Sequence, residues 1–284
     1  MKIPFTKAHG ARNDFLLTWR DQLPSGLTDM ASTAVAICDR HTGVGADGWL
    51  LISAGSGDPA HGMIELWNSD GSRSEISGNG TRCAAALLVE AGRVHTNSVD
   101  TSPLNADSAE NEVRIGTGAG LKRLRLLERR EHSFAFEMNM GVAQVEELKA
   151  DIEGRGCVIL NVGNPQCVFF VEDFDFAWQA LGARVERHPR FPKRTNVSFV
   201  KVLDRHTLDV RFFERGAGET MSSGTGSTGA AAAAMARGLV ESPLRVLTPA
   251  GPLRLRWHEG EILLAGPAEI LAEGEFFWEG SQIQ

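Results

Sequence analysis

The 284-residue sequence contains no tyrosine and only four cysteines, and its eight histidines are widely separated. Without tyrosine, no phenol can serve as a general acid or base. The cysteines form no CxxC pair and no zinc-like spacing with the histidines, which themselves form no HxH or HExxH motif. They are Cys38, Cys83, Cys157 and Cys167. We therefore expect free, mostly buried thiols, and neither a metal site nor a disulfide framework.

The chain also lacks an excess of positive charge and any long apolar run. It has 29 Lys and Arg residues against 36 Asp and Glu residues, a net charge of −7, and the basic residues are scattered. This balance disfavours a nucleic-acid-binding surface. No apolar run approaches the ~20 residues of a membrane-spanning helix, and Lys7 and Arg12 interrupt the N-terminal stretch where a signal peptide would be apolar. We expect a cytoplasmic protein with no membrane partner and no nucleic-acid partner.

One short segment is present twice. Residues 77–86 read SGNGTRCAAA, and residues 223–232 read SGTGSTGAAA. Each copy places a serine and two glycines before an alanine-rich stretch that runs to a glycine, Gly92 or Gly238. This pattern predicts two matched, buried helices that end at those glycines. Repetition about half a chain apart also predicts two similar domains related by a pseudo-twofold axis.

The two serines, Ser77 and Ser223, allow two interpretations. Serine is a common N-cap, so both residues could be purely structural. Alternatively, two facing helix N-termini would form a pocket for one anion, with a hydroxyl on either side. A cap needs no Gly-X-Gly after it, whereas a helix start that a ligand approaches closely does. The duplication therefore favours the functional interpretation.

The remaining chain mostly alternates apolar and polar residues over short runs, which predicts strands. Helices are predicted at residues 28–38, with Thr28 as the cap, and at residues 78–91, 174–184 and 224–237. Residues 100–111 are predicted to form a loop, followed by a crossover into the second domain near residues 116–120.

Several polar segments lie at predicted strand ends or turns. Residues 68–72 indicate a hairpin turn, and residues 39–48 a glycine-rich connection that opens no helix. Residues 163–166, 194–196 and 214–220 lie at strand ends, where substrate contacts and ordinary turns are both common. In the turn at residues 9–15, Asn13 and Asp14 would by themselves indicate only local hydrogen bonds to the backbone.

Taken in order, these segments resemble the diaminopimelate epimerase family, cofactor-independent enzymes that act on a lysine and cell-wall precursor. The resemblance spans residue 3 to about residue 240 and rests on HGARNDF, DRHTGVGADG, NSDGS, SGNGTRC, GNPQ, RTNVSFV and ERGAGETMSSGTG. It implies an α+β fold of two pseudo-symmetric domains, each a curled, mainly antiparallel sheet around a central helix, with the active site in the cleft between them. We expect one domain at residues 1–118, completed by 267–284, and the other at 119–266. We also expect a small amino-acid substrate, no cofactor and no metal. A homodimer is the candidate assembly.

The resemblance also implies roles for individual residues. The distal, non-reacting L-amino-acid end of the substrate is assigned to Asn68, Asn164, Asn196, Glu214 and Arg215. An arginine fork suits a carboxylate, a glutamate accepts from an ammonium, and amides supply further donors and acceptors. The reacting carboxylate is assigned to Asn13 and to the backbone N–H groups at Gly78, Asn79, Gly224 and Thr225.

Two departures from the family bear on the chemistry. Where the family has two cysteines, a thiolate that removes the α-proton and a thiol that delivers one, this chain has Ser77 and Ser223. A cysteine thiol has an ordinary pKa of ~8.5, and a helix N-terminus lowers that pKa, so part of it is ionised at neutral pH. A serine hydroxyl in the same place ionises far less readily. Gln166 also replaces an expected histidine.

Three origins of the serines stay open. They could be engineered replacements, native residues of a slow isomerase or of one whose substrate has a more acidic proton, or marks of a binding protein that lost the chemistry. Gln166 favours native divergence, because no design needs that change. We predict an amino-acid epimerase that interconverts LL- and meso-diaminopimelate by two-base proton transfer through Ser77 and Ser223, slow or inactive because both bases are serine. The alternatives are a racemase or isomerase of the same superfamily that acts on another amino acid, and a catalytically dead amino-acid-binding homologue.

Overall fold

The computed structural model describes residues 1–55, 58–94 and 111–279. Within these ranges the fold is α+β and consists mostly of strands. The helices are α1 (Met30–Cys38), α2 (Gly78–Glu90), α3 (Trp178–Glu186) and α4 (Gly224–Ala236), with a short 3-10 helix at Arg20–Gln22. The strands are β1 (Lys2–Gly10), β2 (Asn13–Trp19), β3 (Gly48–Ala54), β4 (Gly62–Asn68), β5 (Arg73–Ser74), β6 (Glu112–Thr117), β7 (Gly120–Arg130), β8 (Ser133–Gly141), β9 (Gln144–Ile152), β10 (Arg155–Asn161), β11 (Pro165–Phe170), β12 (Asn196–Asp204), β13 (Thr207–Glu214), β14 (Gly218–Thr220), β15 (Leu244–Thr248), β16 (Gly251–His258) and β17 (Glu261–Phe277). The loop predicted at residues 100–111 lies outside the described residues, except for Asn111.

The chain divides into two compact units. The first comprises Met1–Met138 and the segment from Pro267 onward, and the second comprises Asn139–Gly266. The boundary therefore follows residue 138 rather than the predicted residue 118. Residues 118 and 119 form the tight turn between β6 and β7, where Thr117 pairs with Gly120. The glycines in this segment mark a hairpin within the first unit and not a linker.

Both units follow the same order of strand pairings. In the first, β1–β2, β3–β4 and β6–β7 are antiparallel, while β2–β3 and β4–β6 are parallel. In the second, β10–β11, β12–β13 and β15–β16 are antiparallel, while β11–β12 and β13–β15 are parallel. The helices also correspond. Helix α1 lies between the parallel strands β2 and β3, as α3 does between β11 and β12. Helix α2 precedes β6, as α4 precedes β15. The internal sequence repeat is thus one part of a repeated topology.

The repeated segments form matched central helices. Ser77 caps α2 and Ser223 caps α4, and nearly every residue of both helices is buried. Each helix ends at the predicted glycine, with φ of +64° at Gly92 and +68° at Gly238. These are left-handed conformations that glycine adopts without steric cost. Sequence and structure therefore agree on both ends of both helices to within about a residue, as is usual for helix boundaries.

Two other helices begin later than predicted. The cap of α1 is Asp29 and not Thr28, because the Asp29 carboxylate accepts from the N–H of Ser32 at 3.0 Å. Helix α3 begins at Trp178, four residues after the predicted start at 174. The preceding segment is a turn in which the N–H of Asp175 donates to the Asp173 carboxylate at 2.9 Å. A side-chain turn of this kind competes with helix formation.

The second glycine of each Gly-X-Gly segment lies close to a side chain of the sheet. A Cβ at Gly80 would lie 3.2 Å from Leu50 Cδ1, and a Cβ at Gly226 would lie 2.7 Å from Phe212 Cδ1 and 2.9 Å from Ser223 Oγ. Packing of the helix start therefore accounts for the glycine at this position of the motif without a ligand. These glycines allow the first helical turn to approach the sheet.

We predict that Gly226→Ala destabilises the protein more than Gly80→Ala. An added methyl group at Gly226 overpacks the core against Phe212, at a cost of about 1–3 kcal/mol. This cost exceeds the ~1 kcal/mol by which alanine is normally preferred over glycine inside a helix. Urea unfolding of both variants measures the difference. A Gly226→Ala protein more stable than its parent would contradict the packing argument.

Candidate active site

Ser77 lies at the start of α2 and is a true N-cap. Its Oγ accepts from the N–H of Gly80 at 3.1 Å, and its carbonyl oxygen accepts from the N–H of Thr81 at 2.8 Å. Because Oγ uses a lone pair in the cap, the hydroxyl proton is still able to donate. The structural interpretation of Ser77 is correct, and it is compatible with a second role in proton transfer.

Ser223 caps α4 in the same way and also donates to a carboxylate. Its Oγ accepts from the N–H of Gly226 at 3.0 Å and donates to Glu214 Oε1 at 2.6 Å. The other carboxylate oxygen, Oε2, accepts from the Thr220 hydroxyl at 2.8 Å. A hydroxyl held this close to a carboxylate is the geometry in which the carboxylate can act as a general base. The sequence placed Glu214 only at the distal end of the substrate and did not single out Thr220.

Asn13 follows a tight turn in which Ala11 and Arg12 have left-handed φ values of 51° and 60°. Its amide group makes two long-range hydrogen bonds. Nδ2 donates to Asp47 Oδ2 at 2.6 Å, and Oδ1 accepts from Asn79 Nδ2 at 3.1 Å. Local hydrogen bonding within the turn therefore does not account for Asn13. The structure joins it to Asn79 in the first turn of α2.

A cluster of charged side chains surrounds this turn. Arg40 donates to both oxygens of Asp14, at 2.7 and 3.2 Å, and to Asp47 Oδ1 at 2.7 Å, while Lys7 lies 2.9 Å from Asp14 Oδ2. Burial alone would raise the pKa of Asp14, but hydrogen bonds from Arg40 and Lys7 outweigh it and lower the pKa. The pKa of Asp47 is raised, chiefly by burial. The glycine-rich segment at residues 39–48 thus supplies Arg40 and Asp47 to the site, which its sequence did not indicate.

The four backbone positions assigned to the reacting carboxylate lie where the sequence placed them. They are the first two residues of α2, Gly78 and Asn79, and the first two of α4, Gly224 and Thr225. All four are buried. The N–H groups of a first helical turn have no partner within the helix and lie at its positive end, so they favour an anion.

Asn68 lies in the first unit at the end of β4 and belongs to the predicted hairpin turn. Its backbone N–H donates to Ser72 O at 2.8 Å and its Nδ2 donates to Ser72 Oγ at 2.9 Å. In the part of the chain that the structure describes, it makes no hydrogen bond to Asn13 or Asn79. The neighbouring Ser69 donates its N–H to Asp47 O at 3.2 Å, which links this turn to the charged cluster.

Two assigned residues of the second unit are hydrogen-bonded to each other, and a third contacts the start of α4. Asn196 is 6% exposed, and its Oδ1 accepts from the backbone N–H of Arg215 at 3.0 Å while its Nδ2 donates to Pro165 O at 3.0 Å. Asn164 Nδ2 lies 3.3 Å from Thr225 Oγ1. Asn196 therefore fixes the backbone that carries Arg215, and Asn164 connects to the first turn of α4.

Gln166, the residue that replaces the expected histidine, is fully buried. Its Nε2 donates to Asn164 Oδ1 at 2.7 Å, and its Oε1 has no hydrogen-bond partner among the described residues. A Cβ at Gly229 would lie 3.0 Å from Gln166 Cγ, so the glycine makes room for this side chain. In the other copy of the repeat, this position is Cys83. The difference between the copies at this one position, Cys83 against Gly229, thus has a packing reason.

The cysteines are free and buried, as predicted. Burial raises the pKa of Cys83, on α2, to about 12, and that of Cys38 to about 12. These two thiols are therefore protonated at neutral pH and cannot replace a catalytic thiolate. In the described ranges, no group of three or more His, Cys, Asp or Glu side chains could hold a metal ion. No helix in these ranges is long and apolar enough to cross a membrane.

Comparison with known proteins identifies relatives along nearly the whole chain. The diaminopimelate epimerase family model matches residues 5–146 and 158–271. A diaminopimelate epimerase of Pelotomaculum thermopropionicum is 36% identical over 291 residues, which cover 96% of this chain and 98% of the relative. One of Moorella thermoacetica is 33% identical over 293 residues, with 96% and 98% covered.

Solved structures confirm the expected fold class. A hydroxyproline epimerase from Agrobacterium vitis with bound trans-4-hydroxy-L-proline has a TM-score of 0.69 at 16% identity, covering 96% of this chain and 92% of that one. A Bacillus anthracis phenazine biosynthesis protein of the PhzF family has a TM-score of 0.69 at 14% identity, covering 97% and 99%. At these identities the likeness establishes the fold alone.

We predict that Ser77→Ala and Ser223→Ala each lower the free energy of unfolding by about 0.5–2 kcal/mol, because each removes an N-cap. Ser223→Ala is expected to cost more, since it also removes a hydroxyl donor to Glu214. Urea unfolding measures both losses. Ser222→Ala is the control, because the Ser222 hydroxyl is buried without a partner among the described residues. Losses no larger than that of the control would contradict the capping role.

Proposed function

Because the chain belongs to the diaminopimelate epimerase family, we propose that it inverts the α-carbon of diaminopimelate by two-base proton transfer through Ser77 and Ser223. The observation that carries this proposal is the 2.6 Å hydrogen bond from Ser223 Oγ to Glu214 Oε1 at the start of a buried helix. It supplies a base where an isolated serine would have none. The matched capped helix start at Ser77 supplies the second hydroxyl.

The proton transfer proceeds as follows for one direction of the reaction. Glu214 accepts the Ser223 proton as the serine oxygen takes the α-proton, so the carboxylate ends protonated and Ser223 is again a hydroxyl. Ser77 delivers its own proton to the opposite face of the α-carbon and regains one from solvent, while Glu214 releases its extra proton to solvent. Negative charge that develops on the substrate carboxylate is stabilised by the first-turn N–H groups of α2 and α4.

The positions of Ser77 and Ser223 are proposed to be those that hold cysteines in other members of the family. An alkoxide at Ser77 is much harder to form than a thiolate. We therefore propose a slow epimerase. Glu214 partly compensates at Ser223, because proton transfer to a carboxylate avoids a free alkoxide on that side.

The substrate assignment rests on the relatives and on the second unit. The relatives at 33–36% identity carry the name diaminopimelate epimerase. Arg215 offers a guanidinium for a carboxylate, and its backbone is fixed by the buried Asn196. We propose that Arg215, Asn164, Asn196 and Asn68 recognise the distal amino-acid end, whereas Glu214 serves the reacting end.

Exchange of the α-proton with solvent deuterium distinguishes this function from its alternatives. An isomerase of any speed incorporates deuterium at the α-carbon of its substrate, and a protein that only binds the amino acid does not. A racemase for another amino acid would exchange that compound and not diaminopimelate. The outcome with each compound therefore separates the three functions.

We predict that the double variant Ser77→Cys with Ser223→Cys raises the exchange rate of diaminopimelate by orders of magnitude, and that each single variant does much less. The two positions act as one unit in a two-base inversion, so their effects are strongly non-additive. Deuterium incorporation from heavy water into each stereoisomer is the measurement. Ser222→Cys, which adds a thiol one residue before the cap, is the control. Equal rates for the double variant and its parent would refute the roles given to Ser77 and Ser223.

We predict that Arg215→Ala weakens diaminopimelate binding by about 2–4 kcal/mol, the usual range when a charged hydrogen-bonding partner is lost. Isothermal titration calorimetry measures this change. Arg190→Ala is the matched control, since Arg190 lies in the same unit and pairs at 2.8 Å with Glu147, which is not among the residues assigned to the substrate. If Arg215→Ala binds as tightly as the control, the distal carboxylate is held elsewhere.

Three expectations from the sequence stay predictions. They are independence of a cofactor, a cytoplasmic location and a homodimeric assembly.

A further inference from the structure

Arg82 carries a buried guanidinium that the proposed chemistry does not use. It lies on α2 and is completely buried. Its Nε donates to Pro267 O at 3.0 Å and its Nη2 donates to Asn79 Oδ1, whereas Nη1 has no partner among the described residues. Burial lowers its pKa to about 10. A buried charge that is held only by neutral oxygens is costly, so its position calls for a specific reason.

The chemistry of the guanidinium fixes the orientation of Asn79. A guanidinium only donates hydrogen bonds, so Asn79 must present its Oδ1 and not its Nδ2 to Arg82. The Asn79 Nδ2 group then faces Asn13 and donates to its Oδ1 at 3.1 Å. Asn13 must in turn direct Nδ2 toward Asp47, where it donates to Oδ2 at 2.6 Å.

The residues at the two ends of this row of side chains require the same orientation of the amides between them. Arg82 at one end can only donate, and the Asp47 carboxylate at the other end accepts from Asn13 and from Arg40. An amide is otherwise free to place oxygen and nitrogen either way round. Here the cation and the anion allow one orientation for both amides, and reversal of either one would set two donors or two acceptors against each other.

The backbone holds the two amides at a fixed separation. Gly10 pairs with Asn13 at the end of the β1–β2 hairpin. A Cβ at Gly10 would lie 3.1 Å from Asn79 O and 3.2 Å from Asn79 Cβ. The hairpin and the first turn of α2 are therefore in direct contact, so a change in the Asn79 amide reaches Asn13 and is not absorbed by a gap.

We propose that Arg82 is a positioning residue for substrate binding, which acts through Asn79 to direct an N–H of Asn13 at the reacting carboxylate. The Asn13 Nδ2 group has two protons, and Asp47 accepts one of them, so the second is the donor for the substrate. If Asn13 were reversed, it would present a carbonyl oxygen to the carboxylate instead. This inference rests on the proposed function for the identity of the ligand, but the orientation of the amides does not depend on it.

The test compares Arg82→Met with Arg82→Lys. Methionine keeps an apolar chain of similar length but removes every donor, while lysine restores a donor that cannot accept. Asp47→Asn removes the constraint at the other end of the chain and avoids the buried helix. Arg125→Met is the control, since Arg125 is partly buried in the same unit and pairs with Glu137 at 2.9 Å.

The first readout is the side-chain amide resonances of Asn13 and Asn79 in ligand-free, 15N-labelled protein. We expect both to shift in Arg82→Met, the Asn13 resonance to shift in Asp47→Asn, and Arg82→Lys to lie closer to the parent. The second readout is the affinity for diaminopimelate, which should fall by about 10–100-fold in Arg82→Met and Asp47→Asn, the usual effect of losing a hydrogen bond to a charged group. Arg82→Lys should recover part of this loss.

The outcomes separate this inference from the proposed function. An Asn13 amide that does not shift in folded Arg82→Met, or an affinity loss no larger than that of Arg125→Met, overturns the positioning role. If Arg82→Met does not fold, unchanged Asn13 resonances and affinity in Asp47→Asn overturn it equally. If the parent binds no diaminopimelate, the proposed substrate fails, and the amide resonances alone decide the role of Arg82.

Discussion

The candidate functional residues of each unit depend on the burial of one helix N-terminus. The first residues of α2 and α4 are removed from water, and backbone N–H groups in that position need an acceptor. A serine supplies an acceptor for one N–H group in each helix, at Gly80 and at Gly226. The other first-turn groups and the helix dipole make each start favourable for an anion. A carboxylate ligand is the natural complement of such a helix start.

Capping and catalysis are not competing explanations for the serines, because one hydroxyl can do both. The lone pair of Ser223 Oγ serves the backbone, while its proton is held by Glu214. The Gly-X-Gly pattern, which favoured a ligand-binding interpretation, has a separate cause at Gly80 and Gly226 in the packing of the helix start against the sheet. The proposed catalytic role therefore rests on the hydrogen bond between Ser223 and Glu214 and not on these glycines.

Local features were predictable from the sequence, and distant partners were not. Both ends of both central helices were predicted, because the capping serine and the terminating glycine belong to the same short segment as the helix. By contrast, Asn13 is hydrogen-bonded to Asp47 and Asn79, which lie 34 and 66 residues away in the sequence. Glu214 accepts from Ser223, nine residues later and beyond the β13–β14 hairpin. The glycines near residue 118 could mark a turn or a linker equally well. Only strand pairing decides between those meanings.

The two units contribute different chemistry despite their shared topology. In the first unit, Arg40 and Lys7 hold the carboxylate of Asp14, and the amides of Asn79 and Asn13 end in N–H groups. The carboxylates there serve to orient donors. In the second unit, Glu214 accepts directly from a serine hydroxyl. In the proposed inversion, the second unit therefore supplies the base and the first unit supplies donors, because one face of the carbon must lose a proton while the other gains one.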